Sequence, residues 1–206
     1  MFITFEGGEG SGKTTLIQKL ASALQSKGYE VIATRAPGAT PLGKKIRELL
    51  LSPDLGITID RRAELLLYLA DRVQLIEEII APALNEAKVV LCDRFNDSSV
   101  AYQGVARNLG LEEVKDLCDV ACEGLNPDIT FFLDIDPTIG MSRLTEAPDR
   151  LEKEKIEFHQ KVREGFQTIA QQEPERVHMI DATLSKQEVF TEAMKVIEKK
   201  LHEIPL

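Results

Sequence analysis

The segment Gly7-Gly8-Glu9-Gly10-Ser11-Gly12-Lys13-Thr14 has the spacing G-x-x-x-x-G-K-[ST], and each conserved-type position has a task in holding a polyphosphate. The glycines let the backbone wrap a phosphate group. The loop N–H groups and the start of the helix that follows face its oxygens, and Lys13 adds a full positive charge. The hydroxyl of Thr14 stands where such loops hold Mg²⁺, and Thr15 continues the cradle. These residues predict binding of a nucleoside triphosphate. They do not say where its γ-phosphate goes, because switches, ATPases, helicases and kinases share the loop.

Two further groups bear on that question. Asp93-Arg94 follows one apolar run and Thr34-Arg35 follows another. Ligands of open parallel sheets sit beyond the carboxyl ends of the strands, and that is where both arginines would stand. Two guanidinium groups beside a triphosphate cradle suit a second anion held in a bidentate fork. Surface salt bridging is the alternative use of the same residues.

The elements that must position these groups are legible as alternating patterns. Residues 2–5, 30–34, 88–92, 129–134 and 177–180 are short, nearly all apolar and rich in β-branched side chains. Such runs read as strands covered on both faces. Helical periodicity occupies 13–27, 42–51, 61–86, 98–108, 111–123, 138–145, 152–172 and 185–203. The repeated β-α order predicts an α/β fold of the P-loop NTPase type, a five-stranded parallel sheet sandwiched between helices. One of Asp97, Ser98 and Ser99 is expected to cap the helix that follows. Residues 63–70 are apolar almost all round, so their outer face needs a cover from neighbouring helices or from a second subunit.

With 206 residues, 43% of them hydrophobic, the chain reads as one domain over 1–206. The net charge of -9 and the lack of a long basic run argue against a surface for nucleic acid. No window approaches the roughly 20 apolar residues of a membrane span, and Met1 runs straight into the first strand without a signal-like leader. The expectation is a cytoplasmic protein with no membrane contact. Cys118 and Cys122 lie four apart on a helix and could share a metal. No further soft ligand is spaced near them, so they and Cys92 are read as buried structural thiols.

Taken together, "FEGGEGSGKTT", "TRAPGAT", "LYLADR", "DRFNDSSVAYQG" and "DRLEKEKIEFHQKVREGF" resemble the motifs of bacterial thymidylate kinases, in the family's order, from Ile3 to about Phe166. The resemblance implies phosphoryl transfer from ATP, with Mg²⁺, to dTMP in a homodimeric enzyme. It places the acceptor phosphate on Arg94, with Arg35, Pro37 and Arg47 around it. Asp93 would position Mg²⁺ or Arg94 itself. Tyr68 would stack on the thymine ring and Arg72 would donate to a thymine carbonyl. Ser98, Ser99 and Gln103 would complete the acceptor's polar edge, and Tyr102 would press on the sugar where a ribose 2'-hydroxyl would otherwise sit. Glu9 would accept from the acceptor's 3'-hydroxyl. By type alone, Tyr68 is equally a core residue and Arg72 equally a partner for Asp71 or Glu77.

A short helical lid is expected over residues 142–150, where Arg143 and Arg150, beside Glu146 and Asp149, are the candidate neutralisers of transferring charge. Family lids usually carry more basic residues. A second departure is Ala36, where the family usually has an acid, with Ala39 in place of a second glycine. That leaves open how Arg94 is held, with Asp93 or Glu9 as candidate compensators. Two other functions compete: a kinase for another nucleoside monophosphate such as dUMP, and a nucleotide switch. The chain has no N-K-x-D base motif of a GTPase.

Overall fold

The five apolar runs form β1 (Phe2–Glu6), β2 (Val31–Arg35), β3 (Val89–Asp93), β4 (Ile129–Asp134) and β5 (Val177–Asp181). In the computed structural model, which describes residues 1–53, 56–145 and 147–203, they make one sheet in the order β2-β3-β1-β4-β5. Every pairing is parallel. All five residues of β1 are buried, as a central strand covered on both faces requires.

Alternation along β1 divides the molecule. Ile3 and Phe5 face one core with Leu16, Leu20 and Leu24 of α1 (Lys13–Ser26) and with Ala193 and Ile197 of α9 (Lys186–Glu203). Phe2, Thr4 and Glu6 point the other way. Phe2 meets Phe95 edge to face, with ring centroids 5.0 Å apart. That second side is closed by α3 (Arg61–Leu75) and α8 (Ile156–Gln172), whose Tyr68, Leu69, Val162 and Phe166 share a core with Phe132.

The remaining helices are α2 (Pro41–Leu51), α4 (Ala81–Asn85), α5 (Asn96–Ser99), α6 (Leu111–Ala121) and α7 (Pro137–Ser142). The stretch expected as one helix over 61–86 is α3, a π-helical turn over Ile76–Ile80, then α4. Pro82 explains the break: it has no N–H to give and its ring crowds the preceding turn. A second π-helical stretch, Val100–Ala106, follows α5. Such wide turns collect at functional sites, and this one carries Tyr102 and Gln103.

The lid differs from the expected helix. Residues 143–145 and 147–155 are turns and irregular chain, and α8 starts at Ile156. Asp149 accounts for this. Its Oδ1 accepts from the N–H groups of Leu151 (2.8 Å) and Glu152 (2.9 Å), and Glu152 Oε2 accepts from Asp149 N at 2.8 Å. These local bonds hold a turn in competition with the helix. Glu146 lies outside the described residues.

Candidate active site

The P-loop leaves β1 at Glu6 and ends at Gly12, whose φ of 92° is left-handed and favours glycine. Gly10 meets a tighter demand. A Cβ on it would stand 2.0 Å from the carbonyl oxygen of Gly140 on α7, and a Cβ on Gly140 would stand 2.3 Å from that of Glu9. Loop and helix therefore touch backbone to backbone, which brings Arg143 over the loop. Its Nη1 donates to the carbonyls of Gly10 and Ala182, each at 3.2 Å.

Lys13 Nζ donates to the carbonyls of Gly7 (3.1 Å) and Gly8 (2.9 Å) and to Ser11 Oγ (3.3 Å). Burial, then the charge of Arg94, lowers its pKa from the usual lysine value. Thr14 Oγ1 donates to Asp93 Oδ2 at 3.4 Å, while the buried Asp93 Oδ1 has no partner among the described residues. A hydroxyl beside a carboxylate with a free lone pair is an oxygen donor set suited to a hard divalent cation that keeps water and phosphate as its other ligands.

The Asp93-Arg94 step ends β3, where Asp93 is in register with Phe5 on one side and Arg35 on the other. Arg94 adopts a φ of 70°, uncommon for a non-glycine residue and a mark of functional backbone. Its Nη2 forms an ion pair with Glu9, its Nη1 donates to Ser98 Oγ at 3.3 Å, and its guanidinium lies 5.2 Å from the Tyr102 ring centroid. Burial would raise the pKa of Glu9, but Arg94 and then Lys13 outweigh it and hold it below the usual carboxylate range. Ala36 is buried beside this pair. The acid that answers Arg94 is therefore Glu9, from the P-loop.

Two cavities meet here. One, of about 760 Å³, runs along the P-loop from Glu9 to Thr15, past Arg35, Asp93 and Arg143, to Leu184, Ser185 and Lys186 after β5. The other, of about 120 Å³, is lined by Pro37, Tyr68, Arg72, Ser98, Ser99, Tyr102 and Gln103. Glu9, Ala36, Arg47 and Arg94 line both and form the seam. Arg47 is tied to the Pro37 carbonyl at 3.1 Å. Arg150 lines neither cavity. It is held by Glu64 Oε2 at 2.6 Å and the Leu50 carbonyl at 2.5 Å, next to Asp149 and Leu151, which line the smaller cavity.

Arg72 does not pair with Asp71 or Glu77. Its Nη1 donates to Ser99 Oγ (2.8 Å) and Asn96 Oδ1 (3.2 Å), its guanidinium lies 5.3 Å from the Phe95 centroid, and its Nε has no partner among the described residues. Asp71 instead accepts from Gly38 N at 2.9 Å. The expected cap on α5 is absent: Phe95 takes the cap position with no side-chain bond. The three candidates are engaged elsewhere, Asp97 by Arg176, Ser98 by Glu6 and Arg94, and Ser99 by Arg72.

Glu6 was missed by the sequence reading. It is fully buried and accepts from Phe95 N at 2.7 Å and Ser98 Oγ at 2.5 Å. Burial first, then the charge of Asp97, pushes its pKa up to about 7. The loop after β5 was missed as well, although its place at the carboxyl end of a strand was a usable signal. All three cysteines are buried and unpaired by disulfide. Among the described residues no group of three or more His, Cys, Asp and Glu could hold a metal.

A family model described as thymidylate kinase matches residues 5–193. The thymidylate kinase of Protochlamydia amoebophila is 49% identical over 208 residues, covering 97% of this chain and 92% of that one. That of Staphylococcus haemolyticus is 47% identical, covering 95% and 96%. The crystal structure of the Ehrlichia chaffeensis thymidylate kinase superposes with a TM-score of 0.77 at 38% identity, covering 96% of this chain and 98% of the other.

Proposed function

The chain belongs to the thymidylate kinase family and transfers a phosphoryl group from ATP to dTMP, giving dTDP and ADP; on that premise we propose how its own residues divide the work. The observation that carries the assignment of roles is the seam, where two guanidinium groups, those of Arg94 and Arg47, border both the P-loop cavity and the smaller one lined by Tyr68, Arg72 and Gln103.

Phosphoryl transfer asks for in-line positioning and neutralisation of charge, with little covalent help from protein. The P-loop from Gly7 to Thr15 holds the donor phosphates, with Lys13 exchanging its carbonyl contacts for phosphate oxygens. Arg94, Arg47 and Arg35 hold the acceptor phosphate. Tyr68 stacks on the base, Arg72, Ser99 and Gln103 meet its polar edge, and Tyr102 closes the sugar side. Glu9 orients Arg94 and accepts from the 3'-hydroxyl. Thr14 and Asp93 are the protein's contribution to a Mg²⁺ site, and the ion supplies charge neutralisation to the phosphates. Arg143, anchored over Gly10, is the lid arginine nearest the donor. Closure around the seam excludes water that would otherwise compete as acceptor.

The described residues are read as one kinase domain with its lid at 142–150. No helix among them is long and apolar enough to cross a membrane. Three buried free thiols fit a reducing compartment, the cytoplasm. The outer strip of α3 supports a homodimer. Ala63, Leu66, Ala70 and Val73 recur at helical spacing and are all exposed, Leu66 to 60%. A coupled assay of ADP release over a panel of monophosphates tests the function. Rapid turnover with dTMP is expected; turnover confined to another acceptor, or slow hydrolysis indifferent to acceptor, would overturn it.

A further inference from the structure

Glu64 lies in the first turn of α3, lines neither cavity, and is 1% exposed. Its carboxylate is nonetheless a hub. Oε1 accepts from Gln103 Nε2 at 2.9 Å and Arg107 Nε at 3.2 Å, and Oε2 accepts from Arg150 Nη2 at 2.6 Å and Arg107 Nη2 at 3.4 Å. Burial would push its pKa up, but the hydrogen bond from Gln103 and the charges of Arg107 and Arg150 hold it below the usual carboxylate range.

An ionised carboxylate has only lone pairs to offer, whereas a carboxamide has one donor end and one acceptor end. Beside Glu64 the amide nitrogen of Gln103 must face inward. The carbonyl Oε1 is left as the free end of a residue that lines the acceptor cavity together with Arg72. Thymine presents an N–H at ring position 3 next to a carbonyl at position 4. Cytosine presents a bare lone pair next to an amino group. An amide carbonyl with a guanidinium beside it complements the first pattern and opposes the second.

We propose that Glu64 is the positioning residue for base discrimination: by fixing the Gln103 amide with its carbonyl toward the base, it makes the site accept a thymine-type imide and refuse a cytosine-type edge. The same carboxylate binds Arg150 at the end of the lid, whose backbone N–H also bonds the Leu51 carbonyl at 3.0 Å. Seating of the lid and orientation of the base reader are thus fixed by one group. This rests on the reading of Gln103 at the base edge.

The test is the ratio of kcat/KM for dTMP to that for dCMP in the intact enzyme. Glu64→Gln can donate as well as accept, so it frees the Gln103 amide to turn over. The ratio is expected to fall at least about tenfold, mostly through the KM for dTMP, because an inverted amide leaves mismatched polar groups against the correct base. Gln103→Leu should collapse the ratio, and adding Glu64→Gln to it should change the ratio no further. If Gln103→Leu collapses the ratio and Glu64→Gln leaves it intact, or lowers both nucleotides equally as a merely structural role would, the proposal is overturned. If neither variant moves the ratio, the base-edge reading of Gln103 falls with it. Should Glu64→Gln not fold, Glu64→Asp keeps the charge but draws it back from Gln103 and from both arginines; it is expected to lower the ratio in the same sense, and an unchanged ratio overturns the proposal.

Discussion

Arg143 and Arg150 enter the sequence reading as an unranked pair and leave the structure in different places. Arg143 is anchored to the P-loop carbonyl of Gly10 and to Ala182 and lines the cavity along the P-loop, the proposed place of the donor phosphates. Arg150 is bound to Glu64 and Leu50, away from them. Arg143→Ala should lower kcat by on the order of 10³-fold, as loss of an arginine finger does. Arg150→Ala should instead raise the KM for dTMP with kcat nearly kept, and steady-state kinetics that showed the reverse pattern would exchange the two roles. Glu6 yields a second residue-scale prediction. Its pKa rises from the ordinary 4.5 to about 7 in the folded protein, so the native state holds a proton that the unfolded chain releases. Stability from this group is whole below about pH 4.5 and is lost as pH climbs through 7, a difference of roughly 3 kcal/mol. Denaturant unfolding of wild type against Glu6→Gln between pH 4 and 8 should show the gap shifting against the wild type as pH rises; a constant gap would contradict it.

At the scale of elements, α7 is held to the P-loop by the contact between Gly10 and Gly140. Gly140→Ala must push the helix away from the Glu9 carbonyl and take Arg143 with it. Misplacement by about 1 Å can cost on the order of 10²-fold, so kcat should fall by about that factor while dTMP binding in the absence of ATP is kept. Calorimetric titration beside the kinetics separates the two effects. The strands were legible to within a residue of their observed ends because each is a short, largely apolar run bounded by a charged or turn-forming residue, although the two edge strands β2 and β5 are less covered than the three between them. The π-helical turns were not, since apolar periodicity does not distinguish one wide turn inside a helix. The lid's turn was hidden for a related reason: Asp149 and Glu152 read as helix-compatible residues until their reciprocal bonds are seen. Glu6 and Glu64 escaped because their significance lies in partners far away in sequence. Glu64 meets Gln103 and Arg150, 39 and 86 residues on, and nothing in its own neighbourhood announces them.

For the whole molecule, the parallel sheet sets Asp93, Arg35 and the P-loop on one rim, and α3 serves two purposes. Its inner face carries Tyr68 and Arg72 to the acceptor cavity, and its outer strip is apolar and exposed. Leu66→Glu should convert the proposed dimer to monomer in sedimentation velocity at micromolar concentration, because a charge at a buried interface has no partner there. A wild-type chain that sediments only as monomer would remove the dimer. Ala36 has a consequence of another kind. It borders both cavities and presents only a methyl group to the passage between them. A two-headed inhibitor, with a nucleoside at each end, must thread its linker through this passage. In this enzyme an anionic linker passes a methyl group at Ala36, so Ala36→Glu, which sets a carboxylate in the passage, should weaken the binding of such a compound.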